Sequence, residues 1–369
     1  MKKDWEVKKL GEVCEYDKIP NTHKNLPYVG LEHIESNTGI FLGNFEPQVV
    51  KSSTFYFTEE HVLYGRLRPY LNKVLLPKFK GHCSTEIFPI KVKKDIIKEF
   101  LFYWLISETT VKKIDATWTG ARMPRANMNH VLEFDFAFPS IPEQKRIVSV
   151  LDKCFTAIDK AKTNTEQNLK NAKELFESYL QKVFENEKWD KDKIENVCSE
   201  IFAGGDAPKN NFSEEPDERY NIPIYANAVK EKGLYGYTDF ARVTKPSVTI
   251  SARGSGTGHT ELRTENYLPI VRLIVCIPDT TKITLEFLKL SIDNLEIMRS
   301  GSAIPQLTVP MINDYSIPLP SLQVQQSIVR QLDSLKAQTQ KLETVYNKKI
   351  SDLEELKKSI LQDAFRGQL

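Results

Sequence analysis

The sequence predicts an α+β protein written twice. Two similar mixed α/β domains are separated by two long helices that form an antiparallel coiled coil, with a pseudo-two-fold internal repeat. Three observations predict it. Motifs recur at an offset of about half the 369 residues. A helical stretch free of glycine and proline closes each copy. Strand-like runs ending in Gly- and Arg-bearing turns fill the remainder.

The repeat starts at Trp5…Cys14, which matches Trp189…Cys198. Pro139 to Asp152 aligns with Pro320 to Asp333 at an offset of 181, with Pro, Ser, Gln, Ile, Val, Leu and Asp in common. The same offset pairs Gly120 with Gly301, Pro124 with Pro305, Ser178–Gln181 with Ser359–Gln362, and Phe184 with Phe365. One offset holding at separate places is the mark of duplication. A period this long exceeds any solenoid unit. The resulting boundaries are a domain over 1–142, a helix over 143–187, a second domain over 188–322 and a second helix over 323–369.

Within the domains, Val62 to Arg68 and Ser247 to Arg253 read as strands that end in turns. Asp95 to Ser107 and Leu285 to Asn294 read as helices. Phe134, Phe136 and Phe138 alternate along one strand face, as do Tyr315, Ile317 and Leu319, and a proline stops each strand.

In the first helix, steps of four and three place Ile147, Leu151, Ile158 and Leu175 on one seam. In the second they place Ile328, Leu332, Leu335, Leu342, Leu353, Leu356 and Ile360 there. Thr165, Asn168, Thr339 and Lys349 are polar members that set register at some cost in stability. Forty helical residues span about 60 Å. The order domain, helix, domain, helix lets the second helix pair with the first only by running back, which makes the pair antiparallel. Such a molecule is a ruler with two non-identical ends, suited to two short half-sites separated by an unread spacer.

Composition excludes several classes. Fifty-one basic and 49 acidic residues leave a net charge of +2, which rules out a simple basic wrapper of nucleic acid. No apolar run reaches a membrane span, and no apolar segment follows the charged start, so a secretory signal is not expected. Five cysteines without a Cys-x-x-Cys pair argue against disulfides and structural zinc, and for a cytoplasmic location. His23, His33, His61, His82, His130 and His259 are scattered, so no metal site is expected. There is no Gly-x-x-x-x-Gly-Lys-Ser/Thr loop and no Asn-Pro-Pro-aromatic segment, and no catalytic residue is assigned.

The candidate DNA-binding residues lie in turns. Arg66, Arg68 and Lys73 surround Tyr70, and long planar donors of this kind read base edges. The loop Thr119 to Arg125 shares its Gly and Pro frame with Ser300 to Gln306. Its tips differ: Arg122 and Arg125 stand against Ala303 and Gln306. Arg253, Ser255 and Thr257 belong to a Gly254-x-Gly256-x-Gly258 run. Without a following helix and acidic partner this is weak evidence for a nucleotide site. A tight loop bringing backbone amides and Arg253 to a DNA phosphate or base edge is the preferred reading.

With these motifs in place, the whole chain resembles the specificity subunit of type I restriction–modification systems. The resemblance rests on Pro139…Asp152 and its twin, and on Tyr179-Leu180-Gln181…Phe184 and Ile360 to Leu369 at the helix ends. Gly65 to Lys73 and Ser251 to Gly258 resemble segments of target-recognition domains. The second copy departs at Gln323-Val324, where the first has Pro142-Glu143.

The resemblance implies a non-catalytic subunit that reads bipartite double-stranded DNA. It also implies two methyltransferase subunits docked on the helices, bringing S-adenosylmethionine, and a motor-nuclease subunit using ATP and Mg. The residues by themselves leave open a second reading, a coiled-coil interaction scaffold with two protein-binding ends.

Overall fold

The computed structural model describes residues 4–120, 122–185, 188–295 and 306–369. The chain divides into two compact units. One comprises Met1–Gln167 with Tyr346–Leu369, and the other Asn168–Val345. The sequence-drawn boundaries at 142/143 and 322/323 fall close to where the long helices begin, at Ile141 and Leu322. The units are nevertheless not the domains alone. Each takes a stretch of both helices, because the helix faces are part of each core.

In the N-terminal unit, a four-stranded sheet runs Cys14–Tyr16, Ile87–Val92, His61–Gly65, Val74–Leu75. A second sheet runs Tyr28–Val29, Gly81–Ser84, Thr54–Phe57, and its first pair is parallel. The C-terminal unit repeats the plan. Its first sheet is Cys198–Ala203, Ile274–Pro278, Ser247–Ile250, Thr260–Arg263. Its second sheet again contains a parallel pair, Ile222–Tyr225 with Leu268–Pro269. The inner strands His61–Gly65 and Ser247–Ile250 are buried throughout. Strands covered on both faces tolerate such continuous runs of β-branched and aromatic residues.

Each unit also closes with a two-stranded ribbon, Glu6–Lys9 with Asp135–Phe138 and Lys191–Lys193 with Ser316–Pro318. Phe136 is fully buried and meets Phe100 and Trp104 edge-on, with centroids 6.1 and 5.0 Å away. These two rings belong to the helix Lys98–Ile106, a shorter form of the predicted 95–107. The other predicted helix is observed as Leu285–Asp293.

The long helices run Ile141–Phe184 and Leu322–Arg366. Within the N-terminal unit, Arg146 donates to the carbonyl of Leu369, Asp159 meets Lys357 at 2.8 Å and Lys162 meets Glu354 at 2.6 Å. Within the C-terminal unit, Lys173 lies 3.8 Å from Glu343 and the Tyr179 hydroxyl donates to Gln331. In both units one number rises as the other falls, so the pairing is antiparallel. Exposed ion pairs of this kind are worth no more than about 1 kcal/mol each. The apolar seam supplies the adhesion.

That seam differs from the predicted one. Ile147, Leu151, Ile158, Ile328 and Leu332 are buried, and Leu335, Leu353 and Ile360 are partly so. Leu175, Leu342 and Leu356 are 61%, 40% and 47% exposed, and the inward places near them belong to Phe176, Glu343 and Lys357. Asn168 and Lys349 are likewise exposed, while Leu169 and Ile350 turn inward; Thr165 and Thr339 are buried as expected. The reason is geometric. A helix of 3.6 residues per turn drifts from a strict seven-residue pattern. The inward-facing series 328, 339, 350, 361, buried at all but the half-buried Ile350, advances by eleven, which follows the helix more closely than sevens do.

The repeated motif also contains a clamp. Gln144 is buried at the start of the first helix. Its carbonyl accepts from the Ile97 amide at 3.0 Å, and its amide donates to the carbonyls of Asp95 and Pro139. Gln325 does the same with the Thr284 amide and the carbonyls of Lys282 and Pro320. Both helices begin alike, so Gln323-Val324 in place of Pro142-Glu143 leaves the entrance unchanged.

Candidate nucleic-acid interface

The site in the N-terminal unit is built on the end of the inner strand His61–Gly65. There the Arg66 amide donates to the carbonyl of Glu86 at 2.9 Å, and the Arg66 carbonyl accepts from Ala126 at 2.8 Å. Two residues on, the Arg68 amide donates to Pro124 at 2.7 Å. These bonds pin the 119–126 loop to the 66–68 segment. Thr119 and Arg125 close that loop by exchanging backbone bonds of 3.1 Å, and Gly120 takes φ +95°, the left-handed region open to glycine. Arg122 is exposed at its tip. Pro69–Leu71 forms one 3-10 turn between left-handed Arg68 and Asn72, which leaves Arg68 and Tyr70 exposed. Arg66, Arg68, Tyr70, Arg122 and Arg125 are therefore gathered on one loop pair.

Lys73 is not part of that surface. Its ammonium donates to the carbonyls of Leu31 and Ile34 at 2.7 and 2.8 Å, so its charge anchors a turn within the domain.

At the centre lies Glu86, which the sequence did not single out. One oxygen accepts from Arg66 Nε at 2.9 Å, and the carboxylate takes Arg125 through Nε at 3.0 Å and Nη2 at 2.9 Å. Burial works against its charge, yet Arg125 and Arg66 together hold the carboxyl below its usual range. The Arg66 guanidinium also lies over the Phe88 ring, 5.3 Å from its centroid.

The C-terminal unit uses the same frame with other side chains. Past the strand Ser247–Ile250, the Ala252 carbonyl accepts from Leu307 at 2.9 Å, the counterpart of the Arg66–Ala126 bond. Arg253 Nη2 donates to Gln306 Oε1 at 3.1 Å. Asn227 accepts from the Ala252 amide at 2.7 Å and donates to the Val271 carbonyl, which ties in a turn where Val271 and Arg272 have positive φ. Arg272 is exposed on that turn, a further cation absent from the sequence-based set.

The glycine run corrects its own expectation. The amides of Thr257, Gly258 and His259 donate to the carbonyls of Gly254, Ser251 and Gly256, and the Thr257 hydroxyl donates to Gly254. These donors are spent closing the turn and are not free to meet a phosphate. The side chain of Ser255 and the predicted loop residues 301–305 lie outside the described residues.

Among the described residues no cluster of His, Cys, Asp and Glu could hold a metal, and no helix is long and apolar enough to cross a membrane. The N-terminal loop pair offers arginine and tyrosine side chains and the C-terminal pair arginine and glutamine, both at strand ends, which is the chemistry of base-edge and phosphate contact.

Comparison with known proteins follows the same duplication. The family model described as type I restriction modification DNA specificity domain matches residues 2–171 and again 186–352. A Mycoplasma pneumoniae protein named as a type I specificity subunit is 28% identical over 286 residues, covering 77% of this chain and 76% of that one. The HsdS subunit from Thermoanaerobacter tengcongensis superposes with a TM-score of 0.70 at 22% identity, over 100% of this chain and 98% of that one. A chain solved in a study of complex assembly in a type I restriction–modification system superposes with a TM-score of 0.77 at 22% identity, over 100% and 99%. At that identity the likeness to the two structures is one of fold.

Proposed function

The chain belongs to the type I restriction modification DNA specificity domain family, and from that premise we propose how it divides its work. It is the DNA-recognition subunit of a type I restriction–modification complex and performs no catalysis itself. Each unit reads one half of a split double-stranded target. In the N-terminal unit the reading surface is the loop pair carrying Arg66, Arg68, Tyr70 and Arg122, with Arg125 in its frame. In the C-terminal unit it is the pair carrying Arg253 and Gln306, with Arg272 beside it. The paired helices set the spacing between half-sites and dock two methyltransferase subunits. S-adenosylmethionine, ATP and Mg bind to partner subunits, the last two to a motor-nuclease subunit.

The observation that carries this reading is the shared loop frame with altered tips. The backbone bonds Arg66–Ala126 and Ala252–Leu307 are equivalent, while the side chains displayed around them differ. Two readers of unlike sequences need such an arrangement. A protein-binding scaffold has no comparable reason to keep this loop bond while exchanging the donors displayed around it.

Selection from a random duplex pool by the chain assembled with methyltransferase subunits tests the proposal. Enrichment of a motif in two parts with a fixed spacer is expected. Enrichment of a single uninterrupted motif, or of none, would overturn it.

A further inference from the structure

We propose that Glu86 is a positioning residue that aims Arg66 at a guanine edge, and that Arg125 anchors Glu86 and reads no base. The inference rests on the assignment of this loop pair as a DNA-reading surface.

A bidentate guanine contact needs two N–H groups of one arginine directed together at O6 and N7. Arg66 gives only Nε to Glu86, and neither Nη makes a hydrogen bond to another described residue. Its two terminal nitrogens are therefore left as a pair. Three restraints hold that pair still. Nε is bonded to the carboxylate, the guanidinium face lies over Phe88, and the backbone is bonded on both sides, to Glu86 and Ala126. An arginine already held in one rotamer loses less entropy when it engages a partner.

Arg125 is in the opposite condition. Nε and Nη2 are committed to Glu86, and Nη1 donates to the Met123 carbonyl at 3.3 Å. All three nitrogens of this side chain are tethered and only one N–H is left on each Nη, whereas Arg66 keeps both Nη groups whole, so the two arginines on one carboxylate have different tasks. The arrangement also explains how a half-buried carboxylate stays charged beside a surface that must attract DNA. Two guanidinium groups outweigh it, and the local balance stays positive.

The test uses the chain assembled with methyltransferase subunits and a panel of duplexes in which each base pair of the selected target is varied. For Arg66→Ala, discrimination at one G·C pair in the N-terminal unit's half-site should fall about tenfold or more, with the other half-site unchanged. Glu86→Gln should relax the same base pair by a smaller factor, about three- to tenfold, and leave the slope of affinity against salt unchanged. A merely structural role would lower affinity for all duplexes together.

Should Glu86→Gln fail to fold, Arg66→Lys keeps the charge but lacks the paired donors, and should lose the same guanine preference. Arg125→Lys weakens the grip on Glu86 and should relax only that same guanine, by no more than Glu86→Gln does, and no other base pair. Two results would overturn the proposal while leaving DNA reading intact: unchanged discrimination in Arg66→Ala, or loss at a different base pair in Arg125→Lys. Failure of the unsubstituted complex to select any split motif would instead remove the assignment on which the proposal rests.

Discussion

In the N-terminal unit the loop pair beyond the inner strand places a carboxylate between two arginines, whereas in the C-terminal unit the equivalent pair joins one arginine to a glutamine. One backbone bond beneath is shared, from the 126 or 307 amide to the strand end, while the amide at that strand end finds the Glu86 carbonyl in one unit and the Asn227 side chain in the other. The difference teaches where duplication leaves room for change. Backbone bonds, the buried glutamine clamp and the sheet order constrain the frame. Side chains projecting from the loops beyond it meet few such demands.

The strongest way to break this comparison is through the clamps. Gln144→Ala and Gln325→Ala each leave one amide and two carbonyls without their partner, which should cost about 3–5 kcal/mol in the affected unit. Denaturant melts combined with amide exchange would read this. Protection should fall at 95–97 for Gln144→Ala and at 282–284 for Gln325→Ala. Penalties differing by more than about 2 kcal/mol would show that the frames are not energetically equivalent.

The helix seam sharpens the comparison next. Leu151→Ala and Leu332→Ala remove fully buried side chains and should cost about 2–5 kcal/mol each. Leu356→Ala and Leu342→Ala remove exposed ones and should stay within about 0.5 kcal/mol. Thermal melts of the four variants decide whether both units follow the same drifted seam.

The smallest effect is the pH response. The Glu86 carboxyl lies below its ordinary 4.5 in the folded chain. The folded state therefore favours its ionised form, and its stabilising contribution is complete above the ordinary carboxylate range. That contribution is lost as pH falls through the lowered value. Amide exchange at residues 66 and 126 should accelerate below about pH 4.5 and lose this acid limb in Glu86→Gln. The Arg253–Gln306 bond has no carboxylate, so exchange at 307 should lack the step.

Much of this was legible in the residues. The offset of 181 revealed both copies, and glycine-free periodicity revealed both long helices, because these signals depend on local spacing. The Gly120–Pro124 loop frame was legible for the same reason. Gln144 and Gln325 stood in plain view as one of the few polar identities within the repeated motif. Their position in a helical start hid their role, since a buried side chain bonding backward to a distant loop leaves no periodic trace.

Glu86 left even less. It lies 20 and 39 residues from its two arginines and reaches them only because the strand Ile87–Val92 pairs with His61–Gly65 while the 119–126 loop folds over both. Lys73 failed for the converse reason: sequence proximity to Arg66 and Arg68 says nothing about which carbonyls its ammonium will find. The glycine run was recognised as a tight turn, but the direction of its amides is a property of the closed loop.

By itself, then, the sequence determined the duplication, the alternation of domain and helix, and the family. These are encoded in spacing along the chain, which needs no third dimension to be read. Only the tertiary structure decided which arginine keeps both terminal nitrogens open and which is tethered at all three, which leucines drift out of the seam, and which carboxylate sits among them. Those outcomes depend on hydrogen-bond partners drawn from distant strands, and a charged side chain takes the nearest well-oriented partner in space whatever its place in the sequence.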